Sequence, residues 1–403
     1  MKRILLAAPV LVGVVAISAC SSGSGHDASG DTAGPVAASV PTTANTLQIS
    51  YDGVPTGLLS VDTLKTDVYF AQSGLGGSIY TWRLKDLPKS ATGSAGVKPS
   101  GSWKPPLPDK VKMEGIAFSD KKGQGKDDIL ITRKATNVNA TGGNSVWSYD
   151  YGADEGQHLA GNTAAAGNGY YTWGPAGSWK PLNSAGGAIN YTEHNFPTDA
   201  PTKVSIGDGG GVVRADNGYL YYGSLQSGCV YKQDEQNNTA ESVHCTTSWG
   251  SGGQNASIYA LTEDDAGHVY AAYQGAKDIG TTILRITPGG AKPDTVEAIQ
   301  LDGYLRTAGV AVSPDGAQLW AGGIDVARAD TTQPDLLLSV KDPTWGTPES
   351  PGRPTPNISE VPGEAVWLNG MLYFDKKNPN LSDVLLIANN SGGFFMVFDP
   401  EGL

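Results

Sequence analysis

Residues 309–323, GVAVSPDGAQLWAGG, contain the pattern from which the fold can be inferred. An apolar run, a turn with Pro-Asp-Gly and a second run with an aromatic centre are typical of two antiparallel strands joined by a tight turn. The pattern recurs at YALTEDDAGHVYAAY (259–273), GVVRADNGYLYYGS (211–224), LSVDTLKTDVYFAQ (59–72), GIAFSDKKGQGKDDILITR (115–133) and AVWLNGMLYFDKKNPNLSDVLLIAN (365–389). This recurrence predicts a repeat protein built from β-strands.

A third strand often follows the pair, as in GGSIYTW (76–82), GGNSVWSY (142–149) and GGFFMVFD (392–399). Such units of successive antiparallel strands are typical of propeller blades. The chain is therefore predicted to be all-β, a six-bladed β-propeller. Seven blades are the alternative, because the interval from 130 to 221 is long enough to contain another unit.

The pentapeptide GSWKP occurs at 101–105 and again at 177–181. Each copy follows a predicted third strand, so we expect both to mark the approach to the fourth strand in consecutive blades. Residues 151–176 and 183–203 then become insertions, which favours six blades over seven.

The segment TLQISYDG (46–53) precedes the first repeat without a partner of its own, and the last repeat lacks a fourth strand. We expect this segment to pair with the last blade and close the ring. Closure would remove the exposed sheet edges that invite aggregation.

The N-terminus has the pattern of a secretory signal peptide: Lys2 and Arg3, then an apolar run from 4 to 17. Ile17-Ser18-Ala19-Cys20 resembles the bacterial lipobox, which implies cleavage before Cys20 and acylation, including palmitate, of its thiol and amine. The alternative is ordinary secretion. The predicted domains are a signal peptide (1–19), a lipidated Cys with a disordered tether (20–45) and the propeller (46–403).

The predicted location is the cell envelope. A lipoprotein would lie at the outer membrane, facing the periplasm or the cell surface, in a Gram-negative cell. In a Gram-positive cell it would lie on the outer face of the cytoplasmic membrane. The chain has 28 Lys and Arg against 40 Asp and Glu, a net charge of −12, which argues against nucleic acid as a partner. We expect a monomer that meets the membrane through its lipid anchor only.

Cys229 and Cys245 remain once Cys20 is assigned to the anchor. An even pair in an oxidising compartment predicts a disulfide, here between adjacent strands of a hairpin. Closing a loop of this size contributes about 3 kcal/mol in the chain-entropy model.

Three features resemble six-bladed propellers of the gluconolactonase and regucalcin superfamily, and more distantly NHL-type repeats. They are the spacing of the repeats, the segment SPDGAQLW (313–320) and the segment MEGIAF (113–118). This resemblance implies a divalent cation, often calcium, in the central channel. It also implies a ligand from a Glu that starts an early inner strand. Glu114 matches that Glu, although Ile116 stands where the family commonly has Pro.

The repeat register places Glu114 and Glu364 at the starts of inner strands, in the positions of Ser257, Ala308 and Gly210 elsewhere. Asp208, Asn255 and Arg306 lie one or two residues upstream, at the same rim. Carboxylate and amide oxygens suit Ca²⁺, so Glu114, Glu364, Asp208 and Asn255 form a hypothetical calcium site. The alternative is solvated carboxylates or an ion pair with Arg306.

Aromatic residues crowd the first two blades and the insertion, among them Trp103, Trp179 and Tyr171. With Arg306, they are candidate binding residues for a sugar, a peptide or a protein; the alternative is packing between blades. The sequence favours a lipid-anchored propeller that binds a ligand or a protein at its channel mouth. A calcium-dependent lactonase or esterase is the second interpretation, and no catalytic residue can be assigned.

Overall fold

The first strand of every repeat is the inner strand of a separate sheet in a computed structural model of the chain. The model describes residues 40–41, 45–50, 58–64, 69–74, 79–93, 96–103, 111–120, 127–135, 145–151, 172–173, 179–180, 190–191, 209–215, 217–224, 228–234, 239–245, 257–274, 281–290, 292–301, 305–325, 335–361, 368–389 and 393–403. These residues belong to one unit, Ala37–Leu403.

The strands of the first half are β1 (Val40–Pro41), β2 (Thr46–Ser50), β3 (Leu58–Leu64), β4 (Tyr69–Gly74), β5 (Ile79–Arg83), β6 (Gly101–Trp103), β7 (Val111–Asp120), β8 (Asp127–Ala135), β9 (Ser145–Tyr151), β10 (Thr172–Trp173), β11 (Trp179–Lys180), β12 (Asn190–Tyr191), β13 (Gly209–Arg214) and β14 (Leu220–Ser224). Those of the second half are β15 (Cys229–Asp234), β16 (Thr239–Cys245), β17 (Ser257–Glu263), β18 (Val269–Gln274), β19 (Thr281–Thr287), β20 (Thr295–Leu301), β21 (Leu305–Val312), β22 (Gln318–Asp325), β23 (Asp335–Lys341), β24 (Asn357–Val361), β25 (Leu368–Phe374), β26 (Val384–Asn389) and β27 (Gly393–Phe398). Short 3-10 helices lie at Leu84–Asp86 and Pro400–Gly402.

The described strands form six sheets. Their orders, from first strand to outer edge, are β3-β4-β5-β6 (sheet I), β7-β8-β9-β10-β11 (sheet II), β13-β14-β15-β16-β12 (sheet III), β17-β18-β19-β20 (sheet IV), β21-β22-β23-β24-β1 (sheet V) and β25-β26-β27-β2 (sheet VI). The first strands contact one another in the closed cycle β3–β7–β13–β17–β21–β25–β3. Four-stranded sheets arranged radially around a ring of inner strands are a β-propeller. The predicted fold class is confirmed, and the blade number of the whole chain stays a prediction.

The N-terminal strand closes the ring as predicted. β2 pairs antiparallel with β27, from Thr46 opposite Val397 to Ser50 opposite Gly393. Ile49 of β2 is fully buried in a core with Trp82 of sheet I and Phe394 and Met396 of sheet VI. The segment thus supplies the outer strand of the last sheet and joins the two ends of the ring.

The two GSWKP copies occupy different strands, which corrects the prediction that they are equivalent. Gly101–Trp103 of the first copy is the fourth strand of sheet I and pairs with β5. Trp179–Lys180 of the second copy is a fifth strand in sheet II, because β10 lies between it and β9. The inserted β10 displaces the second copy outward by one strand.

Outer edges of several sheets are covered by added chain. β12 pairs in parallel with β16, and β1, which the sequence placed in the tether, pairs in parallel with β24. In sheet IV, the loop after β23 reaches back to β20, where the Gly346 and Ala298 backbones exchange hydrogen bonds. These contacts protect edges that would otherwise present unpaired backbone groups.

Apolar side chains fill the wedges between neighbouring sheets. Ile283 and Tyr270 of sheet IV pack with Val310 and Leu338 of sheet V, and Trp320 of sheet V packs with Leu385 of sheet VI. No helix among the described residues is both long and apolar enough to cross a membrane.

Candidate functional site at the bulged end of the inner strands

Every inner strand carries a β-bulge near its start. The register breaks fall at Leu58/Ser60, Met113/Gly115, Gly209/Val212, Ile258/Ala260, Thr307/Gly309 and Leu368/Met371. We call the end of the ring where the inner strands begin the bulged end. The opposite end carries the turns 264–268, 313–317 and 375–383.

The extra residues of the bulges form a ring of equivalent positions, which we call the bulge ring. It consists of Leu59, Glu114, Tyr259 and Ala308, with one residue from each of the pairs Gly210–Gly211 and Asn369–Gly370. A bulge bends its strand and redirects a side chain, and bulges are over-represented beside functional sites. Because the inner strands form a closed cycle, these positions surround one centre with chemically different residues.

Where the extra residue is uniquely placed, a small residue follows it: Ser60, Gly115, Ala260 and Gly309. The same order in sheets III and VI would make Gly210 and Asn369 the extra residues and leave Gly211 and Gly370 after them. Sheet III gives the physical reason. A Cβ atom on Gly211 would lie 2.4 Å from the Leu261 backbone nitrogen and 2.8 Å from the Ala260 Cα atom, both in the next inner strand. Adjacent inner strands therefore approach so closely here that a side chain would collide with backbone.

This register corrects the alignment made from sequence. Tyr259, and not Ser257, is the extra residue of sheet IV, and Asn369–Gly370 holds the position that sequence gave to Glu364. Applied to sheet VI, the small-residue rule selects Asn369 as the counterpart of Glu114. Glu114 is the extra residue of sheet II, between Met113 and Gly115, and its role as a metal ligand stays a prediction.

The other predicted metal ligands, Glu364, Asp208 and Asn255, lie outside the described residues, so the calcium site stays a prediction. Within the part of the chain that the structure describes, no group of three or more His, Cys, Asp or Glu residues could hold a metal ion.

The predicted binding residues do not share one strand or sheet. Arg306 is opposite Ile324 near the start of β21, at the bulged end. Trp103 is opposite Ile79 in sheet I, and Trp179 is opposite Trp173 in the β10–β11 ribbon of sheet II. Tyr171 and Cys20 lie outside the described residues. The Trp173–Trp179 pairing was not foreseen from sequence.

The predicted disulfide is present at the bulged end. Cys229 and Cys245 are joined by a bond between directly opposite residues of β15 and β16. His244 beside it packs edge-on against Tyr273 of sheet IV, with ring centroids 6.4 Å apart. Burial lowers the pKa of His244, opposed by the nearby Glu349 carboxylate, which raises it. This corner therefore fixes sheet III against sheet IV.

A buried ion pair between the same two sheets was not foreseen. Lys232 of β15 is 2% exposed, and its Nζ lies 2.7 Å from Oδ1 of Asp294, which is 3% exposed. The Tyr221 hydroxyl donates to Oδ2 of Asp294 at 2.9 Å, and the Gly289 amide donates to Oδ1 at 2.8 Å. Lys232 also donates to the Gly290 carbonyl at 3.0 Å. The hydrogen bonds satisfy both charges, so we interpret the pair as a structural link between sheets.

At the opposite end, Asp264 is the centre of a turn. Its Oδ2 lies 2.8 Å from Nδ1 of His268 and accepts from the Tyr270 hydroxyl at 2.8 Å. Its Oδ1 accepts from the backbone amides of Ala266 and His268. Burial and this carboxylate raise the pKa of Tyr270. The arrangement resembles an Asp–His pair of a hydrolase, but its contacts are those of a turn cap.

The sequence matches no family model and no curated protein sequence. Among solved structures, it is similar to virginiamycin B lyase from Staphylococcus aureus (11% identity, TM-score 0.48, 87% of this chain and 98% of that chain). A second is YCF48 from Cyanidioschyzon merolae (12% identity, TM-score 0.47, 89% of this chain and 100% of that chain). A third is a candidate gluconolactonase (10% identity, TM-score 0.44, 88% of this chain and 92% of that chain). At these identities and TM-scores the likenesses carry no argument about activity.

Proposed function

We propose that the chain is an extracytoplasmic lipoprotein whose propeller binds a ligand or a protein partner at the bulged end. The observation that supports this is the bulge ring: the same distortion at the same end of six inner strands, with a different residue type at each position. An asymmetric ring around one centre is suited to recognising an asymmetric ligand.

The surrounding structure holds this ring in place. The disulfide fixes the bulged end of sheet III, and His244 packs that corner against sheet IV. β2 joins sheet VI to the start of the chain. A binding site on such a scaffold is preorganised, which reduces the entropy lost on binding.

A matched pair of variants tests the proposal. The full chain is screened against a glycan array and a heptapeptide phage library, and each hit is measured with Ala308→Trp in the bulge ring and Ala266→Trp in an exposed turn at the opposite end. We expect Ala308→Trp to weaken binding at least about tenfold, a change of about 1.4 kcal/mol, because it adds bulk at the proposed binding face, and Ala266→Trp to leave it unchanged. Thermal unfolding confirms that both variants are folded. The proposal is overturned if no hit is recovered or if Ala308→Trp has no effect.

A calcium-dependent hydrolase is the second candidate. Glu114 of sheet II and the Asn369–Gly370 pair of sheet VI hold equivalent bulge positions in the two sheets that flank sheet I. A carboxylate and an amide are suitable calcium ligands, and a bound cation could polarise a lactone or ester carbonyl.

Calorimetric titration with CaCl₂ tests this candidate in the wild type, Glu114→Gln and Asn369→Ala. Calcium binding that both substitutions weaken, together with hydrolysis of a lactone and ester panel, supports it. Absence of binding, or equal binding in all three proteins, contradicts it.

A further inference from the structure

We infer that residues 342–356, which we call the strap, prevent the edge strand β20 from pairing with β20 of a second copy of this chain. The strap is the loop between β23 and β24 of sheet V, and it lies along the outer edge of sheet IV. The inference is independent of the proposed binding face, because it concerns the outer edge of one sheet and not the bulged end of the ring.

The strap bonds to the outward backbone groups of β20 as an added strand would. The Ala298 amide donates to the Gly346 carbonyl at 2.9 Å, and the Ala298 carbonyl accepts from the amides of Gly346 and Gly352, both at 3.0 Å. The Gln300 amide donates to the Gly352 carbonyl at 2.8 Å. Such groups on an exposed edge strand recruit another strand. The strap therefore occupies the position that a fifth strand would take in sheet IV.

One aromatic side chain anchors the strap to sheet IV. Trp345 is half-buried, and its ring centroid lies 4.6 Å from the Arg285 guanidinium carbon. The centroid of the Tyr270 ring lies 5.9 Å from that of Trp345. Both contacts are made with sheet IV, so the strap is held there by side chains as well as by backbone.

Two glycines allow the strap to fold tightly over the edge. A Cβ atom on Gly346 would collide with the Ser350 carbonyl oxygen, and one on Gly352 would collide with the Thr344 carbonyl oxygen. Both collisions lie within the strap. Alanine at the two positions should therefore displace the strap without changing any residue of sheet IV.

The strand β20 lacks the residues that usually protect an edge. Its sequence, TVEAIQL (295–301), contains no Pro, Gly or Lys, and its single charged residue is Glu297. Arg285 of β19 neutralises that charge within sheet IV, with Nη2 2.6 Å from Oε2 of Glu297. Short segments of low net charge without Pro are those that associate through strand edges. Protection of this edge therefore depends on the strap.

The edge of β20 is complementary to itself. The amide and the carbonyl of Ala298 both point away from β19, since both bond to the strap. Two copies of β20 can therefore pair antiparallel about a two-fold axis at Ala298, with the two Ala298 residues bonded to each other. This register places Val296 opposite Gln300. Glu297 then lies opposite Ile299, so no like charges oppose each other.

Opened and blocked variants of the full chain test the inference by sedimentation equilibrium in detergent solution. One opened variant carries Gly346→Ala and Gly352→Ala, and another has a Gly-Ser sequence of equal length in place of residues 344–354. The blocked variants add Gln300→Pro to each, which removes an outward amide of β20 at an edge position where Pro is tolerated. Gly96→Ala is the matched control, because a Cβ atom there meets nothing within 4 Å.

The wild type and Gly96→Ala are expected to be monomers, and both opened variants are expected to be dimers at the same protein concentration. Gln300→Pro should return both opened variants to monomers. In these monomers the Ala298 amide should exchange with solvent at least about tenfold faster than in the wild type, because neither the strap nor a second copy protects it.

Opened variants that stay monomeric overturn the inference, as does association that Gln300→Pro leaves unchanged. Loss of cooperative thermal unfolding in both opened variants overturns it as well, since the strap would then be required for the fold itself. Binding of the array hits is measured separately, so failure of the proposed binding face is distinguished from failure of this inference.

Discussion

Gly211 in sheet III faces the backbone of Leu261 in sheet IV so closely that a Cβ atom would lie 2.4 Å from the Leu261 nitrogen. Backbone cannot yield as a flexible side chain would. Gly211→Ala is therefore expected to destabilise the fold by about 1–3 kcal/mol, the usual range for overpacking.

The control for this substitution is Gly96→Ala, because a Cβ atom there meets nothing within 4 Å. Urea unfolding of the two variants measures the difference. Equal unfolding midpoints would show that the inner strands can separate at no cost, contrary to the close approach described.

The closing strand gives a second prediction. Ile49 is fully buried, whereas Gln48 beside it is exposed. Ile49→Ala should cost about 2–5 kcal/mol, as other large-to-small core substitutions do, and Gln48→Ala should cost little. Deletion of residues 46–53 should abolish cooperative unfolding in calorimetry. An unchanged transition after the deletion would refute ring closure by β2.

The buried ion pair between Lys232 and Asp294 gives a third prediction. Lys232→Met leaves the Asp294 carboxylate buried without its cation, and breaking a buried pair costs about 3–5 kcal/mol. Lys232→Met combined with Asp294→Leu should recover much of that loss. Lys376→Met is the control, because Lys376 forms an exposed pair with Glu401. If Lys232→Met were no more destabilising than Lys376→Met, the pair would not link the sheets.

His244 predicts a dependence of stability on pH. Its pKa in the folded protein is below the usual 6.5, mainly through burial, so below that pH the unfolded chain binds the proton more readily. The contribution of neutral His244 to the free energy of unfolding is present above pH 6.5. It is lost as the pH falls from 6.5 through the pKa of His244 in the folded protein. Denaturant midpoints at about pH 7.5 and 5.5 should differ more in the wild type than in His244→Gln. Parallel behaviour of the two proteins would exclude His244 as the cause.

Much of the fold could be predicted from sequence because strand pairs joined by tight turns leave a local pattern. SPDG at 313–316 and TLQIS at 46–50 identified a hairpin and the closing strand without knowledge of distant contacts. The disulfide could be predicted by elimination, since Cys229 and Cys245 are an even pair.

The features that sequence did not reveal depend on contacts between sheets. A bulge shifts the register by one residue without changing the apolar pattern, so Ser257 was assigned a position that belongs to Tyr259. The two GSWKP copies were predicted to be equivalent, but β10, which comes from the 151–176 insertion, makes the second copy the fifth strand of its sheet and not the fourth. Lys232 and Asp294 meet only because sheets III and IV adjoin. The small residues after the bulges, such as Gly211 and Gly309, were the available signal.

Site-specific crosslinking tests most directly whether the bulged end is the binding face. The full chain, with p-benzoylphenylalanine at position 308 or at position 266, is expressed in intact bacterial cells, which are then irradiated. A discrete adduct is expected from position 308 and not from position 266, and the purified adduct partner should bind wild-type protein at least about tenfold more tightly than Ala308→Trp. Adducts at both positions alike, or a partner whose affinity is unchanged by Ala308→Trp, would contradict the account.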